Sequence, residues 1–218
     1  MIFARSAGKF SVNFHLLRDI IDNASGLIYN EGRFGREKMT MGRLKMSEKG
    51  IKIVLVNEKD AVFLSELMNN EKVMTALNEV PTAAEIWVDA IAEWKKDDDE
   101  EDYIIFSGDA PVGWLGINEL LSEDKRAYIK MIALLPEYQN CGIGQYVINQ
   151  IADDLKRRGY VSVGLYTNQS NIKAQQCYTK CGFIITAETA QKMSDGADVR
   201  RFKMERALYE EIKNYFHG

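Results

Sequence analysis

Between Gly142 and Gly159, apolar side chains return at Ile143, Val147, Ile148, Ile151, Ala152 and Leu155, the spacing of one helical face. Lys156, Arg157 and Arg158 crowd the end of this stretch, where cations suit the helix dipole, and Gly159 stops it. It is the clearest element of the chain. Upstream, IKIVLV from Ile51 has the β-branched content of a strand. DAVFLSELMNNEKVMTAL (60–77) and TAAEIWVDAIAEWKK (82–96) each read as a single helix, the second with Thr82 as N-cap and Glu85 at the capping-box position. YIIFS from Tyr103 and PVGWLGINELL from Pro111 are strands around a Gly108-Asp109 turn, and YIKMIALL from Tyr128 is a strand ended by Pro136. Downstream, YVSVGLY is a strand and NIKAQQCYTKCG a short helix closed by Gly182. GFIITAETAQKM and VRRFKMERAL are two strands around an Asp195-Gly196 hairpin turn.

The order β-α-α-β-β-β-α-β-α-β-β predicts one mixed α/β domain from about Ile51 to Leu208, within the size of a single domain for a chain of 218 residues. Residues 1–50 break this regularity. HLLRDIIDNASG makes a short helix closing at Gly26, but Gly32, Gly35 and Gly42 then break the pattern, and Met46 is a plausible alternative start. The expectation is an N-terminal extension or arm over 1–50, the domain over 51–208 and a C-terminal helical tail over 209–218.

Composition narrows the partners. A hydrophobic fraction of 46% with 28% charged residues describes a globular protein with material for a core. The net charge of −4 leaves no basic surplus for neutralising nucleic-acid phosphates, so no nucleic-acid partner is expected. No apolar run approaches the ~20 residues that span a membrane, and the first twenty residues hold no uninterrupted apolar segment of a secretory signal. Three cysteines, Cys141, Cys177 and Cys181, are an odd count without framework spacing, which suits the reducing cytoplasm. The only histidines, His15 and His217, stand near opposite ends, so no metal site is read, which leaves an organic cofactor or none.

The chemistry concentrates in PEYQNCGIGQ, Pro136 to Gln145, just before the clearest helix. Glycine lets backbone N–H groups approach a ligand closely, and the first turn of a helix leaves such groups unpaired at the positive end of its dipole. That combination suits a phosphate. No stretch supplies the Gly-x4-Gly-Lys-Ser/Thr of a Walker A loop. The dinucleotide fingerprint fails as well: Val147 stands where a third small residue is needed, and Leu165 and Tyr166 stand where an acidic residue would hold the ribose.

A third pattern fits. Gln139-x-x-Gly142-x-Gly144 after a strand and Pro136 resembles the acetyl-CoA pyrophosphate loop of the GNAT superfamily of N-acetyltransferases, and Asn171-x-x-Ala174-x3-Tyr178-x3-Gly182-Phe183 is similar to that family's second signature in order and spacing. The resemblance implies a mixed central β-sheet flanked by helices, with acetyl-CoA in a cleft beside the Gly-x-Gly helix and no metal. It implies that Gln139, Asn140, Cys141, Gly142, Ile143, Gly144 and Gln145 form the loop around the pyrophosphate, largely through backbone amides. Ile132, Ala133 and Leu134 would pair their backbone with the pantetheine arm, Asn171 and Ala174 would border the cofactor, and Tyr178 would face its sulfur as general acid. Asn140 and Cys141 depart from the family's frequent glycine and basic residue at those positions.

The acceptor side is less marked. Glu119, on the strand before the cofactor strand, is the first choice of general base, a solvated strand-end carboxylate being an equal alternative. Taken alone, Tyr178 shares a helical face with Ala174, Cys177 and Cys181 and reads as packing; the signature around it makes it catalytic. KKDDDEED puts six acids after the second helix. Such a run is by default a solvated loop, the functional alternative being the steering of a cationic amine. Trp87 and Trp94 are expected in packing rather than in an amine cage. The function expected is transfer of acetyl from acetyl-CoA to a primary amine, on a small molecule, a protein N-terminus or a lysine, in a protein that is a possible homodimer. The alternative from another class is a non-catalytic acyl-CoA sensor.

Overall fold

A computed structural model of the chain describes residues 50–77, 81–192 and 198–209. The expected arm up to residue 49, the Asp195-Gly196 turn and the tail from residue 210 lie outside them. Seven strands form one sheet: β1 (Ile51–Leu55), β2 (Glu100–Ser107), β3 (Ala110–Asn118), β4 (Arg126–Leu134), β5 (Ser162–Asn168), β6 (Ile184–Lys192) and β7 (Asp198–Ala207), in the order β1-β2-β3-β4-β5-β7-β6. The β4–β5 pair is parallel and every other neighbouring pair is antiparallel. The expected mixed sheet is therefore the observed one.

Among the described residues five α-helices accompany it: α1 (Ala61–Met68), α2 (Glu71–Leu77), α3 (Ala84–Trp94), α4 (Ile143–Arg157) and α5 (Ile172–Lys180). Helix α4 buries Ile143, Val147, Ile148, Ile151, Ala152 and Leu155, the face its periodicity marks, and packs on β1, β4 and β5. It forms the crossover that a parallel β4–β5 pair needs.

Four local expectations are corrected. The single helix over 60–77 is two, broken at Asn69 and Asn70. There the Asn69 side chain exchanges hydrogen bonds with the Thr82 backbone, accepting from its N–H at 2.8 Å and donating to its carbonyl at 2.9 Å, while Asn70 Oδ1 accepts the Lys72 N–H at 3.1 Å. Thr82 is thereby tied to α1, and the N-cap of α3 falls at Ala83 without a side-chain cap. Strand β3 stops at Asn118 rather than Leu121, because Glu119 takes a φ of 60° and Asp99 Oδ1 captures the Leu121 N–H at 2.6 Å. Finally, the acidic run is only half a loop. Asp97 and Asp98 are solvated, but β2 begins at Glu100, and both Glu100 and Asp102 are buried. Trp87 and Trp94 pack as expected, the second stacked on Trp114 of β3 with ring centroids 5.3 Å apart.

Candidate active site

Strands β4 and β5 pair only over Arg126–Tyr128 and Ser162–Gly164 among the described residues. Beyond Tyr128, β4 keeps β3 as its partner on one side, up to Leu134 opposite Gly113. On the β5 side its backbone from Ile129 onward has no ladder. A cleft therefore opens between two strands that start as neighbours, and its β4 wall carries backbone groups that an extended ligand can pair with as a strand would. Ile132, Ala133 and Leu134 lie on this wall and are fully buried.

The chain then turns through a 3₁₀ segment, Pro136–Tyr138, onto α4. Gln139 braces this turn by donating from Nε2 to the Leu134 carbonyl at 2.8 Å, and the Cys141 thiol donates to the Tyr138 carbonyl at 2.9 Å. Two residues carry a left-handed backbone. Asn140 has φ of 60°, a conformation asparagine tolerates better than most side chains, which accounts for its standing in a position where glycine is common. Gly142 has φ of 94° and is the N-cap of α4, with no side-chain cap and open space where a Cβ would stand. The first-turn N–H groups of Ile143, Gly144 and Gln145 are thus left to an anion, which the helix dipole favours.

A cavity of about 340 Å³ lies against this helix end. Leu134 borders it from β4, Asn140, Gly142, Gly144 and Gln145 from the loop, and Lys173, Gln176, Cys177 and Lys180 from α5. The two lysines were not marked by the motif pattern. They supply from the opposite helix the positive charge that Cys141 does not, and their signal in the sequence was only their spacing, seven residues apart on α5.

Asn171 caps α5, its Oδ1 accepting the Ala174 N–H at 3.2 Å, and Ala174 is fully buried beneath that cap. Tyr178 follows one turn later, with no exposed surface and its ring 5.8 Å from that of Phe183. Burial holds its hydroxyl well above the usual value of 10.0, with the Cys177 and Cys181 thiols acting the same way and Arg201 opposing them. A tyrosine in this state keeps its proton through neutral pH and is available as a donor. Cys177 borders the cavity directly, so Tyr178 lies one residue along α5 from the cavity wall.

Glu119 is not beside this cavity. It sits past the end of β3, whose last residue Asn118 opposes Tyr128, at the closed end of the cleft. It is half-buried, and burial raises its carboxyl, reinforced by Asp99 and Asp124 and opposed by Lys203. Among the described residues no cluster of histidine, cysteine or acidic side chains could hold a metal ion, and no helix is long and apolar enough to cross a membrane.

The comparisons with known proteins agree with this geometry. Among solved structures, the fold is similar to a spermidine N-acetyltransferase from Vibrio cholerae in complex with CoA and spermine, with a TM-score of 0.66 at 19% identity over 73% of this chain and 96% of that one. A dodecameric spermidine N-acetyltransferase from the same organism in an intermediate state superposes with a TM-score of 0.63 at 17% identity, over 76% of this chain and 98% of that one. Compared with curated protein sequences, the chain has no significant match. The model of the acetyltransferase (GNAT) family matches residues 67–183, which is more than half of the chain and runs from α1 through the loop to the Phe183 of the second signature. The splayed strands, the uncapped glycine loop and this match lead to one conclusion: the chain belongs to the GNAT family and is an acetyl-CoA-dependent N-acetyltransferase.

Proposed function

We propose that the protein transfers acetyl directly to a cationic amine in a ternary complex, with Tyr178 as general acid and Glu119, directly or through water, as general base. Acetyl-CoA brings an acyl group already activated as a thioester, so the chain has only to bind, align and move protons. The backbone N–H groups of Gly142 to Gln145 hold the pyrophosphate, and Lys173 and Lys180 add charge beside it. The β4 edge at Ile132 to Leu134 holds the extended arm. As the sulfur departs, the Tyr178 hydroxyl donates to it, and the thiol, with an ordinary value of ~8.5, is the stronger acid of the two, so a strengthening hydrogen bond rather than full transfer is what lowers the barrier.

The observation that carries this reading is the cleft itself: a strand edge left without a ladder leads straight to an uncapped helix N-terminus. A raised Glu119 carboxyl supports the base assignment, because a base titrating nearer neutrality accepts a proton more readily from an ammonium. The acids around that end, Asp99 and Asp124 with Glu119, favour a cationic acceptor, and polyamines are the first to try. Free thiols and this cofactor fit a cytoplasmic setting. A panel of polyamines, aminoglycosides and peptides, scored by thiol release from acetyl-CoA, tests the proposal. Tight acetyl-CoA binding with no release on any amine would point to an acyl-CoA sensor instead.

A further inference from the structure

From Ala127 to Leu134 every residue of β4 is buried, and Lys130 is the one charged residue among them. The register explains where it sits. Gly116 of β3 opposes Met131 and Ile117 opposes Ile129, which leaves Lys130 as the extra residue of a β-bulge. The last β4–β5 pair is Tyr128 with Gly164. The bulge thus falls two residues beyond the point where the strands part, at the inner end of the cofactor cleft.

The Lys130 side chain crosses β3 to reach β2. It pairs with Glu100, lies 2.7 Å from Asp102 Oδ2, and stands over the Trp94 ring at 4.6 Å and the Trp114 ring at 5.8 Å. The Trp114 indole N–H in turn donates to Asp102 Oδ1 at 2.6 Å. The crossing is possible because residue 116 is glycine: a Cβ there would overlap Lys130 Cε and lie 2.6 Å from Asp102 Oδ1. A buried ion cluster of this kind is a poor source of stability compared with apolar packing, and its best-attested use is to specify one arrangement. Here there is an arrangement to specify. The rest of the buried run is apolar on both faces, so hydrophobic burial alone does not fix its register, and a slip of one residue would turn every side chain and N–H to the other side.

We propose that Lys130 is a positioning residue: its ion pairs with Glu100 and Asp102 lock the bulge, and the bulge sets which β4 backbone groups face the acetyl-CoA cleft. The proposal rests on the cofactor reading above. All three tryptophans of the chain, Trp87, Trp94 and Trp114, belong to one cluster, two of whose rings face this lysine, so tryptophan-selective emission reports on that cluster. Titration of the full chain with acetyl-CoA should change the tryptophan emission with the same midpoint as calorimetric binding. The charge-free variant Glu100→Gln/Asp102→Asn/Lys130→Met, similar in volume, should unfold cooperatively yet bind acetyl-CoA about tenfold more weakly. Gly116→Ala, which keeps every charge but pushes Lys130 from its slot, should weaken binding in the same sense. Wild-type binding without a tryptophan response overturns the proposal, as does wild-type affinity in either variant. If the wild-type chain does not bind acetyl-CoA at all, it is the cofactor reading that fails.

Discussion

The two ends of the β4 cleft are built on opposite plans. At the outer end, around Gly142, the contacts offered to a ligand come from backbone: an exposed left-handed glycine, an uncapped helix and an unladdered strand edge. At the inner end, around Lys130, side chains do the fixing, and they are buried against Trp94 and Trp114. The outer end tolerates many side chains but few backbone conformations. The inner end tolerates no change of side chain that leaves a charge alone. Damage at the outer end should appear in binding alone, and damage at the inner end in stability and, through the bulge, in binding as well, with Tyr178 answering to neither.

Tyr178→Phe should give the largest effect and tests that third category. It keeps the ring against Phe183 and removes only the donor. Turnover on a verified amine should fall about 10²–10⁴-fold, the span of a positioned acid, with acetyl-CoA affinity within a few-fold of wild type. Normal turnover would make the residue a packing tyrosine. Because burial holds the hydroxyl above its ordinary value, deprotonation is postponed, and the wild-type rate should show no alkaline fall below about pH 10 from this group.

Lys130→Met alone should come next, and it should lose stability on top of the weaker binding expected of an unlocked bulge. It leaves Glu100 and Asp102 buried without a cation, which costs about 3–5 kcal/mol when one partner of a buried pair is removed. A chevron or urea midpoint indistinguishable from wild type would erase the contrast between the two ends. Gly142→Val should touch binding alone. A β-branched residue at φ of 94° is strained and stands where the ligand approaches, so acetyl-CoA should bind roughly ten- to a hundredfold more weakly, at 1.4 kcal/mol per factor of ten, while the domain stays folded. Calorimetry showing unchanged affinity would remove the loop from the site.

The smallest effects concern charge at each end. Lys173→Gln/Lys180→Gln should weaken acetyl-CoA about two- to fivefold at low salt and by less as salt screens the exposed ammonium groups. For Glu119, a base must be unprotonated, so a raised carboxyl moves the acid limb of the pH–rate profile upward from the ordinary carboxylate range. Glu119→Gln should abolish that limb. Persistence of the limb in the variant would assign it to another group.

The outer end was legible in the sequence and the inner end was not, for a physical reason. Backbone-built sites need glycine, helix-start and helix-end signals at fixed offsets, and those are local: Gly142, Gly144, Asn171 and Gly182 each announce themselves within a few residues. The inner cluster joins Trp94, Glu100, Asp102, Gly116 and Lys130 across three strands and a helix. Glu100 and Asp102 sit in a run of six acids whose composition says solvent, and only a lysine nearly thirty residues later makes their burial tolerable. The lysine inside YIKMIALL was the sole hint, since alternation cannot reveal a bulge. The break at Asn69 was hidden similarly, because the partner of its amide is the backbone of Thr82, on the far side of α2 in sequence.

Three residue pairs stitch the sheet together between β4 and β5, and this has a consequence for the life of the protein. The sheet is two blades, β1–β4 and β5–β7, and a nucleotide thioester held between them, as proposed above, would take the place of missing stitching. Whatever binds the folded blades and not the open chain raises their stability by mass action, about 2.7 kcal/mol when present at a hundred times its dissociation constant. Supply of acetyl groups then governs endurance as well as rate. In a starved cell the enzyme loses substrate and support together, and its thermal midpoint, followed against acetyl-CoA concentration, should climb as that supply returns.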